Sequence, residues 1–119
     1  MAVQADLFQD FLDSSDAVIY LKDKHGCFIM VNRRAAELLH MSKEEVIGKT
    51  AYDLIPKEEA DRVAEIDRKV AETGSPLNFK DTISLPSGQI TLLDHKFPVA
   101  LEGYPNAIGG IAIDITKIE

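Results

Sequence analysis

Apolar residues change their period several times along the chain, and each change marks a boundary between elements. Val3, Leu7, Phe8, Phe11 and Leu12 fall at helical spacing, with Gln4, Asp6, Gln9 and Asp10 on other faces. This pattern predicts a short amphipathic helix ending near Asp13-Ser14-Ser15. Segments 17–22 (AVIYLK) and 27–31 (CFIMV) are rich in β-branched and aromatic residues and flank the turn Asp23-Lys24-His25-Gly26. Together they predict a β-hairpin. Asn32 stops the second strand and is placed to cap a helix over RRAAELLH. Ser42 with Glu45 makes a capping box for a helical turn closed by Gly48, and another short turn runs over AYDLI. Residues 57–73 predict the longest helix, with Ala60, Val63, Ala64, Ile66, Val70 and Ala71 on one side and Gly74 as C-cap. Three strands follow, LNFKDTISL, QITLLDHKFPVAL and AIGGIAIDIT, the last two separated by a loop over 102–106.

The 77–99 hairpin allows a finer reading. Leu77, Phe79, Ile83 and Leu85 share one face with Asp81, and Thr91, Leu93, Phe97 and Val99 share one face with His95. Turning both apolar sets the same way requires an odd loop. Pro86-Ser87-Gly88 supplies three residues with Gly last. This register sets Phe79 opposite His95, Leu77 opposite Phe97 and Lys80 opposite Asp94. Asp81 then lies diagonal to His95 on the core side.

Composition narrows the class. A chain of 119 residues is enough for one domain with a core. The net charge of −7, from 13 basic and 20 acidic residues, argues against direct contact with nucleic acid or anionic membrane. One cysteine cannot form an internal disulfide, which fits a reducing, cytoplasmic compartment. The N-terminal segment lacks a basic n-region, and every apolar run is too short to span a bilayer.

The order helix, hairpin, short helices, long helix and three strands resembles a PAS domain from about Leu7 to Thr116. The residues that carry it are IYLKDKHGCFIMVN, the following RRAAELLHMSKEEVIGKTAYDLIP, HKFPV, and the closing GGIAIDIT. The resemblance implies an α+β fold: a five-stranded antiparallel sheet in the order 2-1-5-4-3 with helices on one face. It divides the chain into a flanking helix (1–14), a core (15–116) and the start of a connector (117–119) to an output domain. It implies a sensory or interaction module of larger signalling proteins such as histidine kinases, diguanylate cyclases or transcription regulators. Such modules bind a small ligand between sheet and helices, form homodimers, or both. A cavity would be lined by Val31, Leu39, Ile47, Leu54, Val63, Phe79, Asp81, Leu93, His95 and Ile111. Val3, Leu7, Phe8, Phe11 and Leu12 would form the dimer interface. Asp114 and Thr116 match the residues that couple the last strand to the output in this family.

Candidate chemistry is sparse. His25 and Cys27 invite a metal clip or a nucleophile with its base, but no further ligand, base or orienting group accompanies them, and a hairpin turn accounts for both. The Asp81–His95 pair is sharper: it would fix a polar ligand head, respond to pH, or simply satisfy itself. Tyr20 and Asn32 are further polar groups for the cavity wall. Covalent flavin chemistry is disfavoured, because the resemblance places a cysteine before the long helix and this chain has TAYDLIP. Haem is disfavoured, because residues 57–73 contain no axial histidine. No metal site is expected. Gly109-Gly110 suits a bulge or a close helix–sheet approach rather than a phosphate loop. Without a complete catalytic set the expectation is a module that is not an enzyme; a proton-transfer enzyme using Asp81 and His95 is the remote alternative.

Overall fold

The computed structural model describes the backbone of residues 2–117 and the side chains of residues 6–117. The expectations for the Val3 side chain and for residues 118–119 therefore lie outside the described residues. The elements are α1 (Ala2–Asp13), β1 (Val18–Lys22), β2 (Phe28–Val31), α2 (Arg33–Leu39), α3 (Lys43–Val46), α4 (Ala51–Leu54), α5 (Lys57–Thr73), β3 (Leu77–Leu85), β4 (Gly88–Leu101) and β5 (Tyr104–Asp114). All strand pairs are antiparallel and the sheet order is β2-β1-β5-β4-β3. The expected fold and strand order are thus observed. Helices α2 to α5 cover one face of the sheet.

Capping chemistry sets several boundaries. Ser42 and Glu45 exchange the two bonds of a capping box at the start of α3. Asn32 caps α2 and does more. Its fully buried amide accepts the N–H groups of Ile19 and Ala35, both at 3.1 Å, and donates to the carbonyls of Leu12 and Ala17, both at 2.9 Å. Every polar position of the side chain is used in joining α1, β1 and α2. It is therefore a structural knot and not part of a cavity wall. Asp13 adds to it by accepting the Arg33 N–H at 2.8 Å and the Lys43 ammonium at 2.6 Å. Leu12 is buried against this knot, so it anchors α1 within the domain rather than facing a second copy.

Two local expectations are corrected. The 102–106 loop is a tight turn, with Leu101 paired to Tyr104 and β5 running through Pro105. An irregularity between Val99 and Leu101, with Asn106 at φ 62°, absorbs the proline. The register of β3 on β4 is the larger correction. Leu85 pairs with Gly88, leaving a two-residue turn, so Phe79 faces Asp94, Asn78 faces His95, Lys80 faces Leu93 and Leu77 faces Lys96. An even loop exchanges the two faces of β4. Ile90, Leu92, Asp94 and Lys96 point toward the helices, and Leu93, His95 and Phe97 point away. The segment QITLLDHKFPV carries two partial apolar sets, and the shorter one faces the core.

Candidate functional site

Between the inner face of the sheet and helices α2, α4 and α5 lies a small cavity of about 110 Å³. Its walls are mainly apolar, built from Val18, Phe28, Val31, Leu39, Leu54, Val63, Ile83 and Leu92 among others. At one end the lining turns polar, with Tyr20 and Lys22 from β1 and Asp94 and Lys96 from β4. Strand alternation explains the set: Tyr20 and Lys22 are two apart, as are Asp94 and Lys96, so each pair shares the inner face.

These groups form one connected cluster. Asp67 of α5 accepts the Lys22 ammonium on one oxygen at 3.0 Å and the Lys96 ammonium on the other at 2.6 Å. The Tyr20 hydroxyl donates to Asp94, at 3.1 Å to the nearer oxygen. The two ammonium groups also lie near ring faces. Lys22 is 5.1 Å from the Phe28 centroid and Lys96 is 5.7 Å from that of Tyr20. The lysine side chains are 4% and 2% exposed, whereas that of Asp67 is 16% exposed. Burial at this depth demands partners, and the cluster supplies them.

The glycine pair in β5 makes the cluster reachable. Tyr20 and Asp94 stand on β1 and β4, with β5 between them. A Cβ on Gly110 would sit 2.0 Å from the Tyr20 ring. The missing side chain lets the ring lie across β5 and put its hydroxyl on Asp94. Gly109 does the same on the other face, where a Cβ would meet the Phe97 ring at 2.6 Å. The close approach at this pair is therefore made by side chains of neighbouring strands and not by a helix, which corrects the expected helix–sheet contact.

The protonation equilibria follow the geometry. Burial, with Lys96 close by, pulls Lys22 down to about 8 despite its bond to Asp67. Burial pushes Asp67 up, but the two ammonium groups outweigh it and hold it below the usual carboxylate range. Burial raises Asp94, only partly offset by Lys96 and the Tyr20 hydroxyl. Tyr20 is held well above its ordinary value by burial beside these carboxylates.

The sequence-predicted residues divide clearly. Val31, Leu39, Leu54, Val63 and Asp81 are on the cavity wall. Phe79 faces the same side of the sheet, with its ring centroid 5.8 Å from the Lys96 ammonium. Four others are elsewhere. Ile47 lies just past α3 and is exposed, and Leu93, His95 and Ile111 are exposed on the outer sheet face. The exchanged faces of β4 account for Leu93 and His95. Ile111 pairs with His95 and so shares its outward side. The Asp81–His95 pair does not form. Asp81 accepts the Arg62 guanidinium of α5 at 3.0 Å, and His95 bonds Asn78 and stacks near Phe97.

The hairpin turn is structural. Asp23 accepts the N–H groups of His25 and Cys27, both at 2.9 Å, and Gly26 takes φ 83°. Among the described residues no cluster of His, Cys, Asp or Glu is arranged to hold a metal ion. No described helix is long and apolar enough to cross a membrane. Asp114 and Thr116 form a closing clamp: Asp114 accepts the Thr116 N–H at 3.0 Å and its hydroxyl at 2.5 Å. Thr116 in turn accepts the Thr91 N–H at 2.9 Å, locking the end of β5 to the start of β4.

Sequence reasoning missed Lys22, Asp67, Asp94 and Lys96. A signal was present in α5, where Asp67 falls in the seam formed by Ala60, Val63 and Val70. A charge in an apolar helical stripe calls for an opposite charge across it.

Comparison with known proteins agrees with this architecture. The profile of the family described as the PAS fold matches residues 12–118. The transcriptional activator RocR of Bacillus subtilis is 28% identical over 116 residues, which are 95% of this chain and 24% of RocR. The chain spans between 14% and 24% of the length of the curated relatives it matches. VqmA of Vibrio cholerae, solved as a ligand–DNA complex, superposes with a TM-score of 0.80 at 23% identity, over 98% of this chain and 52% of VqmA. The PAS domain of the Cronobacter turicensis quorum-sensing receptor RpfR, solved in complex with BDSF, superposes with a TM-score of 0.73 at 23% identity, over 86% of this chain and 96% of that domain. Likeness at this identity carries the fold. With the sheet order, the helical cover and the profile match in agreement, the chain belongs to the PAS fold family.

Proposed function

We propose that this domain is a small-molecule sensor that relays ligand occupancy to a covalently linked output domain. The observation that carries the reading is the cavity itself: apolar along its length and polar at one end, the usual form of a small-ligand site. Ligand-bound VqmA and RpfR support it, as does the likeness to the transcriptional activator RocR. Occupancy would alter how α5 packs on the sheet. The change would pass along β5 to the Asp114–Thr116 clamp and into the connector that begins at 117. Residues 15–116 are then the sensing core, residues 1–14 a flank, and the output a kinase, a cyclase or a DNA-binding regulator of the cytoplasm.

Native mass spectrometry and an absorbance spectrum of freshly purified protein test this directly. A co-purifying small molecule, released on denaturation, is the expected result. A visible flavin or haem band would replace the proposed ligand class.

A second reading has its own observation. Leu7, Phe8 and Phe11 on α1 are 68%, 62% and 73% exposed, an apolar stripe without cover among the described residues. It favours homodimerisation through α1, with relay and no ligand. Deleting residues 1–11 converts dimer to monomer by light scattering if this stripe is the interface, and leaves the mass per particle unchanged if it is not.

A further inference from the structure

The Lys22–Asp67–Lys96 bridge is not confined to the cavity. Beside the cavity a groove of about 550 Å³ runs between the 23–26 turn, α4 and α5. Lys22 lines both spaces, Asp67 lines the groove, and Lys96 lines the cavity. The bridge therefore stands at the boundary between the groove and the cavity. Of its three members only Asp67 belongs to a helix; both lysines are fixed in the sheet.

Resting on the sensor reading, we infer that Asp67 is a built-in stand-in for the ligand's head, and that the ligand is a small amphiphilic carboxylate that takes its place. The charge balance favours an anion. Lys22 and Lys96 face Asp67 and Asp94, two cations against two anions. Exchange of the Asp67 carboxylate for a ligand carboxylate leaves that balance unchanged inside the domain. A neutral head would leave a buried ammonium short of its partner if Asp67 moved away. Geometry favours the exchange as well. Asp67 offers one oxygen to each lysine, the arrangement a free carboxylate would reproduce. The Asp67 side chain is 16% exposed and has the groove to turn into, whereas the lysine side chains are 4% and 2% exposed and stay fixed in the sheet.

Size fits a short chain. A cavity of roughly 150 Å³ holds a benzene-sized molecule. The present 110 Å³, with the space left by the Asp67 carboxylate, suits an acid of about six carbons. The exchange removes the ionic tie between α5 and β1 and β4, so binding loosens α5. Signal and recognition then share one residue.

The test titrates the 119-residue chain with hexanoate and with hexanamide, a neutral isostere, by isothermal calorimetry. Hexanoate is expected to bind at least tenfold more tightly than hexanamide. Asp67→Asn, which removes the competing charge, is expected to tighten hexanoate at least tenfold further, and Lys96→Met to weaken it at least tenfold. Hydrogen exchange across residues 57–73 is expected to speed up with hexanoate bound to the wild type. Equal affinity for the two probes, or tight binding of hexanamide alone, overturns the inference and leaves a sensor of neutral ligands. Hexanoate binding that leaves α5 protection unchanged overturns the exchange at Asp67. If either variant fails to fold, the acid-to-amide ratio and the exchange rates on the wild type still decide. Absence of any bound molecule in native mass spectrometry, together with no binding of either probe, is the separate failure of the sensor reading.

Discussion

The two faces of the sheet each depart from the usual partition. The inner face buries Lys22, Lys96 and Asp94, while the outer face exposes Leu93, Ile111 and Ile113. Adjacent residues of β4 show the contrast best: Lys96 is 2% exposed and His95 lies in the open. A buried ionic cluster contributes little net stability, because desolvation consumes most of the attraction. Its presence beside a cavity points to binding. The exposed apolar residues outside point to a surface that something covers, since patches of this kind mark interaction sites.

Alanine at the two neighbouring positions breaks the contrast most strongly. Lys96→Ala removes half of the bridge to Asp67 and is expected to cost about 3–5 kcal/mol of stability. His95→Ala trims an exposed ring and is expected to stay within about 0.5 kcal/mol. Urea denaturation of both variants measures the difference. A larger cost for His95→Ala than for Lys96→Ala would mean that β4 has the opposite facing.

The glycine pair gives a second, smaller contrast. Gly110→Ala drives a methyl group into the Tyr20 ring on the packed side and is expected to cost about 3 kcal/mol. Gly109→Ala meets Phe97, whose ring has outer-face space to move into, and is expected to cost about 1 kcal/mol. Thermal melts of the two variants give the ranking.

How far the sequence reveals these features depends on the part concerned. Element order, the capping box at Ser42, the Asn32 cap and the strand order all follow from local signals or from the family resemblance. The facing of β4 does not, because QITLLDHKFPV offers two apolar sets and the choice turns on one residue of loop length. Choosing the longer set sends Leu93 and His95 inward, and with them a pairing of His95 to Asp81 that the fold does not make. Asp81 is satisfied instead by Arg62, and the buried charges are satisfied by Asp67, a residue 29 positions from Lys96 in sequence. Such a tertiary pairing leaves only a faint trace, a charge inside the α5 stripe.

The pH dependence gives the smallest effect and probes the inner face alone. Lys22 titrates at about 8 in the folded protein, below its ordinary value of 10.5. The unfolded chain therefore holds this proton more tightly. Between about pH 8 and 10.5 the Lys22 contribution makes stability rise with pH; below that window it is constant. The stability of wild type relative to Lys22→Met is thus expected to increase from pH 8 to pH 10 in urea denaturation. A relative stability that falls over this range would show a lysine stabilised in its charged form.

The measurement that bears most directly on the sensing cavity is chemical-shift mapping of the ¹⁵N-labelled protein titrated with hexanoate and with hexanamide. The account predicts saturable shifts at the amides of Tyr20, Lys22, Leu39, Val63 and Lys96, and at those around Asp67. Shifts confined to Leu93, His95 and Ile111, or no saturable shifts with either probe, would contradict it.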